Sequence, residues 1–288
     1  MASDPTRRAP ASLLAVAAIF SVQFGNAVVG SLFDRVGPLG AATLRLGLAA
    51  LILLVLIRPR TRGWTGRTWL GVVMLGVGMA AMNVCIYLAI EEIPLGIAVT
   101  IELMGPLAVA AAGIRRPLDA GWVLLAVGGI LLLGLQRGDS GSGGLALTGV
   151  LFAAAAGGFW ALYILASARL GPRVRGIDGL VAAIAVGALL VLPFGAGEAV
   201  DAVGRAPSLL VAFLGVALLT SVTPYALEFT ALKRMSTRVF GVLSSLGPAV
   251  AALAGLVVLQ QRLGLWQVLA ILLVVCASAG VVATSRRA

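Results

Sequence analysis

Apolar stretches of around 20 residues recur along the whole chain, and this recurrence constrains the fold more than any other feature. Wound as an α-helix, such a run rises about 30 Å, the thickness of a bilayer's hydrocarbon core. A soluble domain covers one core with roughly 25% charged residues. Here 11% of the 288 residues are charged, too few to make a wetted surface. A transmembrane β-barrel is excluded, because its strands alternate apolar and polar residues over about 10-residue segments. Leu46–Ile57 and Ile271–Ala279 show no alternation. The 37 glycines suit helices that must approach closely in lipid. The expected fold is therefore an all-α membrane protein. Its ten transmembrane helices are read near 12–30, 39–57, 69–90, 95–113, 120–136, 146–167, 178–196, 207–231, 238–258 and 264–284.

Charge placement sets the orientation. The formal net charge is +10, but the basic residues sit in short loops and not on one face, so nucleic acid is not an expected partner. With the N-terminus inside, Arg35, Arg137, Arg205 and Arg262 fall outside and Arg45 falls within a span. The other sixteen of the 21 lysines and arginines fall inside. The positive-inside rule then predicts a multi-pass protein of the cell (inner) membrane with both termini cytoplasmic. Arg7 and Arg8 precede an apolar run, Ser12–Gly30, that is longer than a signal-peptide core and reads as an uncleaved first helix. There is no histidine. Cys85 and Cys276 lie in apolar runs and read as small buried hydrophobes. No metal, cofactor or enzyme signature is expected.

The two halves, 1–144 and 145–288, resemble each other. Gly105-Pro106-Leu107-Ala108-Val109-Ala110 in the fourth span matches Gly247-Pro248-Ala249-Val250-Ala251-Ala252 in the ninth, an offset of 142 residues from 105 to 247. Five spans per half is an odd number, so the halves are expected to be inverted, as in secondary transporters whose site lies between the repeats. Proline gives no N–H and frees a carbonyl one turn back, so Gly105, Pro106, Gly247 and Pro248 are candidate helix-kink residues.

Several motifs carry a family resemblance. Ile93-Pro94-Leu95-Gly96-Ile97-Ala98-Val99 leads to Glu102, Gly105-Pro106 and Arg115-Arg116-Pro117. Later come Pro224-Tyr225, Leu227-Glu228, Ala231-Leu232 and Thr237-Arg238-Val239-Phe240-Gly241. Together these resemble the threonine/homoserine exporter family, in the EamA branch of the drug/metabolite transporter superfamily. The resemblance implies ten helices and efflux of small amino acids driven by proton antiport. Two positions depart from it. Gly247 and Gln261 stand where the family pattern has acidic residues.

Charges within hydrocarbon cost at least about 2.5–3.5 kcal/mol and by default mark a pathway. Gln23, Arg45, Asn83 and Glu102 each lie six or seven residues from the outer end of their spans, so four consecutive helices share one polar layer about 10 Å deep. Tyr87 is a neighbour on the third span. In the second half Trp160, Tyr163, Tyr225, Ser244 and Ser245 form a milder layer, with Ser244 the repeat partner of Glu102. This pattern suits a zwitterionic amino acid. Arg45 offers a planar fork to a carboxylate, and Glu102 accepts the ammonium. Gln23, Asn83 and Tyr87 bond the remainder, while Trp160, Tyr225 and Ser244 close the opposite wall. In the empty carrier Arg45 and Glu102 are expected to pair. Without histidine, a proton-linked cycle relies on a buried carboxyl, and Glu102 is the only one well inside. Glu228 lies near the cytoplasmic end of its span, where snorkelling explains it. Expected partners are the small-molecule substrate, protons and the bilayer, with a homodimer left open. A carrier of another small solute, exporter or importer, stays open as an alternative. So does a channel, although a channel needs a polar stripe through the full depth.

The orientation is checked by cysteine-accessibility scanning in a background lacking Cys85 and Cys276. A cysteine at position 142 should label from outside, and one at position 62 from inside.

Overall fold

The computed structural model describes residues 10–112, 117–134, 146–224, 227, 231, 243 and 245–284. Among these residues the chain is helical, without strands. The first half contains α1 (Ala11–Gly30), the short α2 (Phe33–Val36), α3 (Pro38–Ile57), α4 (Gly66–Glu92), α5 (Leu95–Glu102), α6 (Met104–Ala112) and α7 (Pro117–Gly134). The second half contains α8 (Leu147–Leu170), α9 (Asp178–Arg205), α10 (Ser208–Ala217), α11 (Gly247–Val258) and α12 (Leu265–Thr284). A π-helical turn, Leu218–Val222, continues α10. Five stretches are long and apolar enough to cross a membrane: Ala11–Gly30, Pro38–Ile57, Gly66–Glu92, Leu147–Arg173 and Asp178–Arg205. Shorter apolar helices cover Leu95–Val109, Ser208–Val222, Gly247–Val258 and Leu265–Ala277.

The distribution of polarity is the reverse of a water-soluble fold. Leu51, Val55, Leu56, Leu189, Phe194 and Val211 are all more than half exposed on the outside. Gln23, Asn26, Arg45, Asn83, Glu102 and Thr220 are buried inside. In water this arrangement would expose apolar surface and desolvate polar groups, unfavourable on both counts. In a bilayer the outer leucines face acyl chains and the polar groups partner one another. Cys276 is exposed, not buried as its apolar run suggests. On a lipid-facing helix the outer face is itself apolar, so an apolar run does not distinguish inside from outside.

The elements differ from the sequence reading at three places. The predicted fourth span is two helices, broken at Leu103. The predicted eighth begins as α10 and widens into the π turn. The predicted seventh is longer, so Glu198, Asp201 and Arg205 are helical and not in a loop. Acidic residues end the hydrocarbon layer but need not end the helix. Glu198 in fact accepts a 2.7 Å hydrogen bond from the Gly40 N–H, in the first turn of α3. The N-cap of that helix is Gly37, which has no side chain to cap it, so α9 supplies the acceptor. Gln261 does the same for α5. Its Oε1 accepts from the Leu95 N–H at 3.0 Å, where the N-cap residue Pro94 makes no side-chain bond.

Packing pairs elements of the two halves. α4 lies against α8 and α9, and α3 against α9 and α10. α1 meets the π turn and α11, α5 meets α8 and α11, and α7 meets α12. Glycine permits the closest crossing. A Cβ on Gly105 would overlap the backbone of Gly157 on α8, and one on Gly195 would overlap the Leu39 carbonyl on α3. These crossings bring backbones together at a separation that admits no side chain.

Gly105→Val should therefore lower stability by about 1–3 kcal/mol, the usual effect of overpacking, read by thermal unfolding in detergent. The same change at Gly158, where the surrounding space is open, should have a much smaller effect.

Candidate functional site

The buried polar side chains gather into a candidate site. Arg45 on α3 is 4% exposed and Glu102 at the end of α5 is 8% exposed. Around them lie Gln23 and Asn26 on α1, Asn83 and Tyr87 on α4, Thr220 and Ser221 on the π turn, and Ser245 before α11. All but Ser245 come from a helix whose other face is apolar, and helical spacing turns them inward.

Arg45 organises this interior. Its Nη1 donates to the Tyr87 hydroxyl at 2.8 Å and, at a longer 3.4 Å, to Asn26 Oδ1. Its Nη2 donates to the Thr220 backbone carbonyl at 3.1 Å. The guanidinium carbon lies 5.5 Å from the centre of the Tyr87 ring, a cation–π distance. Tyr87 is fully buried and braced at 5.6 Å by the Phe33 ring. Arg45 thus binds α1, α4 and the π turn at once, joining the two halves through one charged group. Its Nε–H is buried with no hydrogen-bond partner.

The carbonyl that receives Arg45 follows from the sequence. Pro224 lies four residues after Thr220 and lacks the N–H that would close the helical bond. The ladder loosens into the π turn, and the Thr220 carbonyl is left for a side chain. The Thr220 hydroxyl bonds the Val216 carbonyl instead. Ser21 on α1 donates to the neighbouring Leu219 carbonyl at 2.5 Å, and Gly25 packs directly on Thr220.

Pro106 acts in the same way on Glu102, four residues earlier. The helix breaks at Leu103, and the Glu102 carbonyl faces Gly157 of α8, where a Cβ would stand 2.7 Å away. A second break occurs at Ser245–Leu246, before Gly247-Pro248. Both breaks precede a Gly-Pro pair at the repeat offset.

The structure brings Gln23, Arg45, Asn83, Tyr87 and Glu102 into the buried interior, but it does not pair Arg45 with Glu102. The terminal nitrogens of Arg45 are committed to Tyr87, Asn26 and Thr220. Neutral acceptors solvate the guanidinium where the sequence reading expected a carboxylate. Asn83 turns back along its own helix, donating to the Met79 carbonyl at 2.7 Å. Trp160 is half-buried on α8. Tyr225, Glu228 and Ser244 lie outside the described residues. The sequence reading missed Asn26 and Thr220. Asn26 lies three residues beyond Gln23, on the same helix face. Thr220 was detectable through Pro224, by counting one turn back.

The EamA-like transporter family profile matches residues 147–283. The chain is 40% identical over 279 residues to the Threonine/homoserine exporter RhtA of Salmonella typhimurium (strain LT2), covering 96% of this chain and 92% of that protein. The same identity and coverage hold for the Threonine/homoserine exporter RhtA of Escherichia coli (strain K12). A solved crystal structure superposes with a TM-score of 0.61 at 20% identity, over 96% of this chain and 99% of that one. At that identity it speaks for the fold alone.

Tyr87→Phe removes one acceptor from a buried cation and leaves the ring contacts in place. It should destabilise the protein by about 1.5–3 kcal/mol, the range for a hydrogen bond to a charged group. Arg45→Lys should be worse, because a point charge cannot reach three acceptors on three elements. Unfolding in detergent, compared with the wild-type protein, checks both.

Proposed function

The chain belongs to the EamA-like transporter family, and from that premise we propose that it is a secondary carrier exporting small amino acids of the threonine and homoserine kind. The observation that carries this reading is the 40% identity, over nearly the full length of both chains, to threonine/homoserine exporters. The buried polar interior agrees with it, since an amino acid needs partners for two opposite charges in a medium that supplies none.

In this reading ten segments cross the inner membrane as two inverted halves, 1–144 and 145–288, with both termini cytoplasmic. The packing pairs support it. Exchanging every span for the one five places along turns the α4–α8 contact into the contact of the π turn with α1. It turns α4–α9 into α10–α3, and α5–α8 into α11–α1. It leaves α3–α9, α5–α11 and α7–α12 unchanged. The matched helix breaks at Leu103 and Ser245–Leu246 support it as well. The family profile begins at residue 147, just past the proposed boundary.

The amino acid's carboxylate takes Arg45, whose Nε–H is unpartnered and whose bond to Asn26 is long enough to yield. Its ammonium takes Glu102. Asn83 and Tyr87 flank the site, with Trp160 opposite and Gln23 at the end towards α11; Tyr225 and Ser244 are further substrate contacts expected from the sequence. Export is coupled to proton entry. Glu102 alternates between holding the ammonium and holding a proton, so loading from one side releases substrate on the other. The breaks at Gly105-Pro106 and Gly247-Pro248 are the hinges of that exchange.

Proteoliposome flux decides the reading. L-Threonine should move against its gradient when a proton gradient of opposite direction is imposed, and stop when that gradient is collapsed. Glu102→Gln should abolish gradient-driven flux in a protein that still folds. Undiminished flux in that variant would place the proton elsewhere.

A further inference from the structure

A groove of about 450 Å³ lies between α11 and α12, beneath the connection that joins them. Ala252, Leu253 and Leu256 of α11 and Val268 of α12 form its walls, and Gln261 and Arg262 of the connection form its rim. Leu253, Leu256 and Val268 are 44%, 49% and 40% exposed, so the groove opens on the outer surface that faces acyl chains. Ala252 stands six residues before Val258, the last of α11, which carries the groove about 9 Å inward from its rim. Trp266, in the first turn of α12, is 59% exposed. An exposed tryptophan at the end of an apolar helix marks the headgroup level, and Arg262 lies just before it in the chain. The Arg262 side chain is exposed, and it makes no ion pair or hydrogen bond among the described residues. No acidic side chain is among the described residues that line the groove. Gln261 spends its oxygen on the Leu95 N–H, so its uncommitted group is the NH2, a donor.

We infer that this groove binds an anionic phospholipid, with an acyl chain against Leu253, Leu256 and Val268 and the headgroup phosphate on Arg262. A guanidinium presents a fork of donors that matches two phosphate oxygens. The headgroup of a zwitterionic lipid brings its own ammonium, and this acid-free rim offers that cation nothing. An anionic headgroup brings only the charge that Arg262 lacks, and the Gln261 NH2 donates to its remaining oxygens. The rival occupant is a second copy of the chain. A two-fold interface sets one patch against itself, which would bring two Arg262 groups together with no carboxylate between them. A phospholipid supplies the missing negative charge. The site stands apart from the polar interior and does not depend on what is exported. Its link to that interior is Gln261, whose bond to Leu95 caps the helix that ends at Glu102.

Native mass spectrometry of the purified full chain in a non-ionic detergent measures lipid binding directly. The probes are phosphatidylglycerol and phosphatidylcholine of identical acyl chains. The wild-type protein should bind phosphatidylglycerol more tightly. Arg262→Gln, at an exposed position outside both helices, should weaken phosphatidylglycerol by about fivefold, what one arginine contributes near an anionic lipid surface, and phosphatidylcholine little. Arg35→Gln makes the same charge change at an exposed position on α2 and should leave the preference in place. Leu256→Trp fills the groove and should weaken both lipids. Glycerol phosphate, which has the phosphate without the chains, should not displace bound lipid. Equal binding of the two lipids by the wild-type protein overturns the site. So does a preference that survives in Arg262→Gln, even if Leu256→Trp fails to fold. An equal loss in Arg35→Gln assigns the preference to net charge, and displacement by glycerol phosphate assigns it to a phosphate site without a lipid groove. A dimer in the wild-type protein that Leu256→Trp splits gives the groove to a second copy. Each of these three results also overturns the inference.

Discussion

A guanidinium held within hydrocarbon must find its acceptors inside the protein, and Arg45 finds them on three elements. Tyr87 brings α4, Asn26 brings α1, and the Thr220 carbonyl brings the π turn of the other half. Removing a charge from water is expensive, and each bond to a fixed dipole offsets part of that cost. The surrounding architecture can be read as what makes those acceptors available. Pro224 releases the Thr220 carbonyl, Gly25 lets α1 close on Thr220, and Phe33 steadies the Tyr87 ring. Loss of one of the three acceptors would leave a further buried donor unmet.

Broken helices recur for the same reason. A continuous helix satisfies its own backbone and has nothing to offer a side chain or a solute. At Leu103 and at Ser245–Leu246 the ladder is interrupted ahead of a Gly-Pro pair, and at Leu218–Val222 it widens ahead of Pro224. Each interruption has one side turned to protein neighbours, although Leu218, Leu219 and Leu246 also reach the outer surface. The first abuts Gly157, the second faces Gln23, and the third receives Arg45 and Ser21. At Glu102 and Thr220 the freed backbone carbonyls thus meet the opposite half.

The two departures from the family pattern acquire different meanings in three dimensions. Gln261 caps α5 through Leu95, a contact in which an amide oxygen serves as a carboxylate oxygen would. It ties the connection between α11 and α12 to the start of α5. Gly247 instead leaves space against the Gln23 amide. One position is architectural and the other borders the site, yet both read alike in the sequence as a missing acid.

The sequence alone determined the membrane class and the placement of the long helices, and it singled out Gln23, Arg45, Asn83 and Glu102, which the structure buries. Hydrophobic run length and the scarcity of charge are one-dimensional quantities, and lipid imposes them segment by segment. Depth along a helix is also one-dimensional, counted at a fixed rise per residue. Tertiary structure decided which polar groups meet. Arg45 and Glu102 are both buried but share no bond, because position along a helix does not fix the rotation of one helix against another. Thr220 entered the site through its backbone, which no side-chain pattern reports, and only the packing of α3 against the π turn carried Arg45 to it. The extension of α9 past Glu198 was decided in the same way, because a helix continues wherever a neighbour can use it, here the uncapped start of α3.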